Sequence, residues 1–201
     1  ASMGFFNAPG IGPYLFDHHN TRTYQYDMQL VDAYRANRHD IEAPKRNFII
    51  FHLYGQHTAY GERHPADFAK FSVRSVKSKL RLSDEQRGVV ADYLNATLYN
   101  DYVVDSIIRM FSDRNAVVLY FSDHGEEVYD FRLQQGRTDL MTDVPRALHS
   151  QLDIPFMIYV SPRYAATHPQ QVERIKRSID RPFMTDNLPQ VIFDLLGVRT
   201  Y

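Results

Sequence analysis

The stretch that decides the fold is AVVLYFSDHGEEVYD, residues 116–130. Six apolar and aromatic residues, 116–121, lead into Ser-Asp-His-Gly and then into two glutamates. A continuous apolar run of this kind is typical of a strand in a sheet that is covered on both faces. The polar residues follow at the end of this strand, and open parallel sheets bind their ligands at the carboxyl ends of strands. The stretch therefore predicts an α/β protein with a functional site at Asp123 and His124.

The composition is that of an ordinary globular chain. The 201 residues are 44% hydrophobic and 23% charged, which is enough for one sizeable core. With 23 basic and 24 acidic residues the net charge is -1, so no global field favours nucleic acid. Cysteine is absent, which excludes disulfides and thiolate metal ligands. No apolar run reaches the roughly 18 residues of a spanning helix, so we expect a soluble chain.

Helical and strand patterns alternate along the chain. We predict a single domain over residues 1–201, in which residues 1–22 form an irregular lead-in rich in Gly and Pro. The predicted elements are a helix at 24–38, a strand at 47–53, a long loop at 54–82, a helix from 83 to 111, strands at 116–121 and 154–161, and helices at 169–180 and 186–196. This order favours right-handed crossovers and a mainly parallel sheet flanked by helices.

Local signals support several of these boundaries. Ser83-Asp84-Glu85-Gln86 is a capping-box pattern, in which the serine and the glutamine satisfy free N–H groups at a helix start. In the first helix, Leu30, Val31 and Tyr34 share one apolar face. At the last helix, Asp186 can cap the start and Gly197 can end it.

The chemistry of the opening stretch suits a divalent metal ion. A carboxylate and an imidazole, here Asp123 and His124, are ligands suited to Zn²⁺ or a similar ion. Gly125 permits a sharp turn, and Glu126 or Glu127 could orient the imidazole. The alternative is that Asp123 caps the next turn and His124 is a surface residue.

Two histidines follow the other predicted strand in a similar way. His52 lies at the end of NFIIFHL and His57 lies five residues further on. Imidazoles at a strand end can bind a metal or hold an oxyanion. The alternative is one core histidine and one solvated loop histidine, but two such strand ends in one sheet favour a shared site.

The opening motif resembles that of a known family. Residues 121–127, FSDHGEE, resemble the SDHGE signature of the sulfatase-like phosphoethanolamine transferases, in the alkaline phosphatase superfamily. The segment HLYGQH, residues 52–57, with Tyr60 and Arg63 after it, is similar to that family's H-x-x-G-S-H segment with its trailing tyrosine and arginine.

Two further segments agree with the same family. Residues 94–102 resemble its helix of the form N-S-I-x-Y-x-D, and residues 153–156 resemble the strand that follows its metal motif. Order and spacing agree from about Tyr24 to the end of the chain. The resemblance therefore implies an alkaline phosphatase/sulfatase-like fold.

The resemblance also implies a mechanism and a set of site residues. In the family, a threonine attacks the phosphorus of phosphatidylethanolamine with the help of zinc. The phosphoenzyme then passes phosphoethanolamine to lipid A or a lipopolysaccharide sugar. By this resemblance Asp123 and His124 are zinc ligands, His57 lies near the transferred phosphate, and His52 supports it.

The chain departs from the family pattern at informative positions. The nucleophilic threonine and an acidic zinc ligand of the family are expected upstream of this chain, so we interpret it as the C-terminal part of the catalytic domain, incomplete at its N-terminus. We expect it alone to be inactive and to bind zinc weakly or not at all. The family histidine that follows SDHGE aligns near Arg137, so either Arg137 binds phosphate instead or His149 does. Gln56 stands where the family has a serine.

For the complete protein, the resemblance implies a place and partners. It predicts a phospholipid donor and a lipid A or lipopolysaccharide acceptor at the periplasmic face of the bacterial inner membrane, with anchoring through an N-terminal region not present here. One alternative is a non-catalytic binding or assembly module on the same fold. Another is an ester hydrolase such as a sulfatase, although the sequence has no C/S-x-P-x-R segment.

A basic run lies inside the long predicted loop. Its members, which have no acidic residue between them, are Lys70, Arg74, Lys77, Lys79 and Arg81. Such a run could meet anionic lipid head groups, although a solvated surface is the more common role of exposed charges.

Overall fold

The computed structural model describes residues 24–43, 46–137 and 141–198; the predicted lead-in at residues 1–22 lies outside them. The helices are α1 (Asp27–Ile41), α2 (Asp84–Phe111), α3 (Val144–Leu152), α4 (Pro162–Thr167), α5 (Pro169–Lys176) and α6 (Leu188–Leu196). The strands are β1 (Val117–Phe121), β2 (Glu127–Val128), β3 (Gln135–Gly136) and β4 (Phe156–Val160). None of the described helices is long and apolar enough to cross a membrane.

Contacts divide the chain into two compact units. Of the described residues, those up to 107 and those from 120 to 156 form the first unit, and those from 108 to 119 and from 157 onward form the second. The sequence-predicted site residues all belong to the first unit. In the second unit, the buried Ser161 hydroxyl donates to the Arg114 carbonyl at 2.6 Å and accepts from the N–H groups of Ala116 and Tyr164.

The two helices predicted at residues 24–38 and 83–111 are confirmed. In α1, Leu30, Val31 and Tyr34 are buried on one face, as their spacing indicates. At the start of α2, Gln86 N–H donates to the Ser83 hydroxyl at 3.2 Å, and Ser83 N–H donates to the Gln86 side chain at 2.9 Å. The predicted capping box therefore sets the start of the longest described helix.

The predicted strand at residues 47–53 is not formed in the described structure. Phe48 and Ile50 are 60% and 52% exposed, and Phe51 packs edge-on against Tyr34 at 5.0 Å. A strand exists only where another strand accepts its hydrogen bonds. Within the described residues no strand pairs with this segment. Part of its apolar surface therefore stays exposed to solvent.

Strands β1 and β4 are confirmed, and they are neighbours in a two-stranded sheet. Ser161 N–H donates to the Ala116 carbonyl at 3.1 Å, whereas the Phe121 ring lies 6.1 Å from the Phe156 ring. The start of β1 thus lies beside the end of β4, so the two strands run antiparallel. The parallel pairing that the element order favours is not formed within the described residues.

The short hairpin β2–β3 was not predicted from the sequence. Its strands pair antiparallel, with Glu127 opposite Gly136 and Val128 opposite Gln135. Each strand has two residues, which is too short for a hydrophobic period to show. The long loop at 54–82 is confirmed and contains only two short 3-10 turns, Tyr60–Glu62 and Ala66–Phe68.

Candidate active site

The strand-end loop, residues 122–126, follows β1 directly and carries the Asp-His pair. The Ser122 hydroxyl donates to the His124 carbonyl at 2.6 Å, which closes a tight turn within the loop. Gly125 N–H donates to the Gln151 carbonyl at 3.0 Å, and this bond attaches the loop to the end of α3. Both bonds involve backbone groups, so they fix the path of the loop.

Gly125 lies against the backbone of α3 and the residues after it. A Cβ atom at this position would lie 2.5 Å from the Ser150 carbonyl oxygen, 2.9 Å from Gln151 C and 3.1 Å from the Asp153 carbonyl oxygen. All three atoms are backbone atoms and cannot move aside as a flexible side chain would. Only glycine therefore permits this approach.

The Asp123 and His124 side chains lie close enough to share a ligand. His124 Nε2 is 3.5 Å from Asp123 Oδ1, and His124 Nδ1 is 2.8 Å from the Gly125 carbonyl oxygen. Because a carbonyl only accepts, Nδ1 carries a proton in this arrangement, and in the corresponding neutral tautomer Nε2 has the lone pair that a metal would use. The Asp123 side chain is 87% exposed. These two donors fit a zinc ion in chemistry and in accessibility.

The two glutamates after the pair do not orient the imidazole, contrary to one interpretation of the sequence. Glu127 is fully buried and pairs with Arg132, whose Nε and Nη2 donate to its two carboxylate oxygens at 2.8 and 2.9 Å. Gln151 Nε2 donates to the same carboxylate at 3.0 Å. Glu127 is thus a structural anchor that fixes β2 to α3, because a bidentate ion pair with a further donor compensates for its desolvation.

Glu126 connects the strand-end loop with a second candidate segment, which we call the histidine loop, residues 52–63. The buried Tyr60 hydroxyl donates to Glu126 Oε1 at 2.8 Å across 66 positions of sequence. Burial raises the pKa of the Tyr60 phenol above its usual value, and the neighbouring Glu126 charge adds to this effect. Tyr60 therefore stays protonated and remains a donor at any physiological pH.

Asp27 holds the start of the histidine loop. This buried carboxylate, in the first turn of α1, accepts hydrogen bonds from the N–H groups of Tyr54 and Gly55, both at 2.9 Å. Burial raises the pKa of Asp27, while the two N–H groups, Arg63 and His52 act to lower it. Gly55 has a φ of +54°, a conformation that favours glycine. Nothing in the sequence pattern of α1 marks Asp27 for this role.

Arg63 shapes the part of the loop around His57. Its guanidinium donates to the Thr58 carbonyl at 2.9 Å and lies 4.9 Å from the centre of the Tyr54 ring. Its Nε is also 3.3 Å from the His57 carbonyl oxygen. His57 and His52 are exposed, so both imidazoles are accessible to a ligand while the backbone that carries them is held.

The predicted site residues are brought together only in part. Tyr60 and Glu126 join the histidine loop to the strand-end loop, but among the described residues no three His, Asp or Glu side chains form a group that could hold a metal ion. Arg137 is exposed and directly precedes residues 138–140, which lie outside the described ranges. His149, the alternative to Arg137, has its Nδ1 2.7 Å from Asp153 Oδ2 in an exposed pair at the end of α3.

A solved structure shares this arrangement of elements. The chain is similar to the C-terminal periplasmic domain of EcEptC from Escherichia coli, crystallised in complex with Zn, with a TM-score of 0.63 and 36% identity over 77% of this chain and 44% of that one. Fold and site together thus define an α/β protein of the alkaline phosphatase/sulfatase-like class.

Comparison with families and curated relatives gives the narrower assignment. The family model described as Sulfatase matches residues 4–198, so the chain belongs to the sulfatase family. It is 36% identical over 178 residues to phosphoethanolamine transferase EptC of Escherichia coli O18:K1:H7, covering 87% of this chain and 29% of that protein. It is 27% identical to the Kdo(2)-lipid A phosphoethanolamine 7''-transferase of Escherichia coli K12, covering 77% of this chain and 26% of that protein. The chain therefore spans less than a third of the length of these relatives.

Proposed function

We propose that this chain is the C-terminal part of the catalytic domain of a zinc-dependent phosphoethanolamine transferase. The complete protein moves phosphoethanolamine from phosphatidylethanolamine to lipid A or a lipopolysaccharide sugar. The observation that carries the proposal is the Asp123-His124 pair, which lies at the end of a strand with His124 Nε2 3.5 Å from Asp123 Oδ1. The relatives with phosphoethanolamine transferase names support the same chemistry.

The two side chains of the pair have the same role in this proposal. Asp123 and His124 bind zinc, and ligands from the remainder of the catalytic domain complete the site. Bound zinc supplies positive charge that stabilises the phosphoryl group during transfer. The Gly125 carbonyl keeps the proton on His124 Nδ1, so that Nε2 stays available to the ion.

The histidine loop contributes to the phosphate side of the site. His57 lies near the transferred phosphate and donates a hydrogen bond to it, while His52 and the Asp27 anchor keep the loop in place. Arg137 is a second phosphate ligand, because a guanidinium binds phosphate oxygens with two parallel hydrogen bonds. The nucleophile comes from the upstream part of the complete protein.

The location follows from the donor and the acceptor. The solved EptC domain is periplasmic by its description. We place the complete protein at the periplasmic face of the inner membrane, with an anchor upstream of this chain and a phospholipid donor in the adjacent leaflet.

The test uses membranes that contain the complete protein, with head-group-labelled phosphatidylethanolamine and lipid A. Wild type transfers label to lipid A, and the mass of the product increases by one phosphoethanolamine group. We expect His124→Ala to reduce transfer by about 100-fold or more, because loss of a metal ligand removes the stabilisation of charge. We expect Arg137→Ala to reduce it by about tenfold, as loss of one charged donor would.

The matched control is His39→Ala, since the His39 side chain is 99% exposed and lies outside the site. It should keep activity within about twofold of wild type. Unchanged transfer in His124→Ala would contradict the proposed metal site. Release of free phosphoethanolamine to water, with no labelled lipid A, would instead indicate an ester hydrolase.

A further inference from the structure

A cationic segment lies on the first unit, outside the candidate active site. The basic loop, residues 69–82, follows the second 3-10 turn and ends just before the capping box of α2. Its five cations are Lys70, Arg74, Lys77, Lys79 and Arg81. The nearest acidic residues in the sequence are Asp67 and Asp84, and none lies between them. A local charge of +5 therefore lies on a chain whose net charge is -1.

The start of the basic loop is fixed to α2 by one buried side chain. Asn95 is 2% exposed; its Oδ1 accepts from Phe71 N–H at 2.8 Å and its Nδ2 donates to the Phe71 carbonyl at 3.0 Å. A single amide side chain thus satisfies both backbone groups of Phe71, as a neighbouring strand would. These two bonds fix the backbone of the loop at Phe71, which lies between the cations Lys70 and Arg74.

Apolar anchors hold the rest of the loop. Val76 and Leu82 are 5% and 8% exposed; Val76 lies between the exposed Arg74 and Lys77, and Leu82 directly follows the exposed Arg81. Ser72 and Ser75 close a turn through a 2.8 Å backbone bond and a 3.1 Å bond to the Ser75 hydroxyl. The loop has almost no regular secondary structure, yet its backbone path is determined by these contacts.

The five cations differ from other cations of the chain in their partners. Arg35 pairs with Asp32, Arg174 with Asp194, and Arg177 with Glu173. Within residues 24–43, 46–137 and 141–198, no carboxylate forms an ion pair with any cation of the basic loop. At physiological ionic strength charges act over only about 8 Å. An acidic residue farther away than this contributes little to the field of the loop.

We propose that the basic loop docks the protein on an anionic phospholipid bilayer. Ammonium and guanidinium groups on a fixed backbone can meet several lipid phosphates at once without ordering a flexible segment, which would cost conformational entropy. Phe71, 38% exposed at the start of the loop, adds an apolar ring that can enter the boundary between head groups and acyl chains. This proposal does not depend on the transfer reaction.

The test measures binding of the 201-residue chain to phosphatidylcholine vesicles with and without about one third phosphatidylglycerol. We expect binding only to the anionic vesicles, and loss of it when NaCl rises from about 0.05 to 0.5 M. The variant Lys70→Gln/Arg74→Gln/Lys77→Gln should weaken partitioning by roughly 100-fold, because each basic residue near an anionic leaflet contributes about a factor of five. Circular dichroism and thermal unfolding confirm that each variant is folded.

The matched control, Arg163→Gln/Lys176→Gln/Arg181→Gln, removes the same charge from exposed positions outside the basic loop. It should change partitioning by less than about threefold. Equal losses in the two variants would show a response to net charge only and would overturn the proposal. Binding to pure phosphatidylcholine at the same strength, or no binding to either vesicle, would overturn it as well.

Discussion

Gly125 occupies a position where one added methyl group would meet three backbone atoms of residues 150–153. The preceding residues carry the proposed zinc ligands, so the close approach of Gly125 to residues 150–153 also decides where those ligands lie. The same loop has its imidazole held by a carbonyl and its path closed by the Ser122 hydroxyl. The position of this loop therefore depends on close backbone contacts more than on the acidic side chains around it.

We predict that Gly125→Ala lowers the free energy of unfolding by about 2–4 kcal/mol, because the new Cβ would lie 2.5 Å from the Ser150 carbonyl oxygen. Chemical denaturation measures the change. Gly88→Ala is the matched control: Gly88 lies within α2, and a Cβ there meets nothing within 4 Å. That substitution should stabilise the chain by about 0.5–1 kcal/mol. Similar effects of both would contradict the proposed close approach.

Arg132 illustrates how burial changes the contribution of an ion pair to the free energy of unfolding. Its partner Glu127 has a fully buried side chain, and Arg132 is 16% exposed. We predict that Arg132→Met lowers the free energy of unfolding by about 3–5 kcal/mol, since it leaves a buried carboxylate without its cation. Arg35→Met breaks the exposed pair with Asp32, at 43% and 62% exposure, and should cost less than about 1 kcal/mol. Chemical denaturation of both variants at neutral pH measures the two changes. Equal losses in the free energy of unfolding would refute the argument.

At the scale of elements, two loops and two helices are connected by a few polar side chains. Asp27 fixes the histidine loop to α1, Asn95 fixes the basic loop to α2, and Tyr60 fixes the histidine loop to the strand-end loop. The Tyr60 ring also packs edge-on against Tyr93 of α2 at 5.2 Å. These connections replace regular secondary structure over residues 54–82, where hydrogen bonds of strand or α-helix type are absent among the described residues.

Tyr60→Phe tests the connection between the two site loops. It keeps the ring and its contact with Tyr93 but removes the hydroxyl that donates to Glu126. We expect the free energy of unfolding to fall by about 1.5–3 kcal/mol, as for a bond to a charged acceptor. Tyr102→Phe is the control, because the Tyr102 ring is 45% exposed and its hydroxyl has no protein partner among the described residues. Its effect should stay below about 0.5 kcal/mol. Hydrogen exchange at residues 55–63 should increase only in Tyr60→Phe.

At the scale of the whole molecule, the chain represents less than half of the solved domain that it resembles. It covers 44% of the periplasmic EptC domain and 29% of the EptC sequence. The two proposed zinc ligands lie together, and no third His, Asp or Glu completes a metal group within the described residues. The metal affinity of this chain should therefore be lower than that of a site with a complete set of ligands.

We predict weak zinc binding by the isolated chain. A four-ligand structural site binds zinc with about 10–16 kcal/mol, so two ligands would supply roughly half, which corresponds to a micromolar or weaker Kd. Calorimetry with Zn²⁺ measures it, and His124→Ala should remove the signal while His39→Ala keeps it. Tight one-to-one binding by the wild type would mean that the chain supplies further ligands, and the interpretation as an incomplete site would be wrong.

The sequence by itself determined the features that depend on nearby residues. The capping box of Ser83 and Gln86, the apolar face of α1 and the stop at Gly197, which has a φ of +68°, all arise from hydrogen bonds and periodicities within a few positions. The Asp-His pair at the end of β1 also needs only the order of residues to be recognised. Asp186 is the local exception, because it lies inside a short 3-10 turn, Thr185–Asn187, that precedes α6.

The tertiary structure alone decided what depends on partners distant in the chain. Residues 47–53 have the composition of a strand, but a strand needs a neighbour for its hydrogen bonds, and none of the described strands pairs with them. The partners of Glu126 and Glu127 could not be assigned from the sequence, since Tyr60 lies 66 positions away and Gln151 lies 24 positions away. A carboxylate looks the same in a sequence whether it orients a histidine, anchors a helix or binds a metal. Burial and the donors around it decide between these roles, because an ionised carboxylate leaves water only where other groups replace the hydrogen bonds it loses.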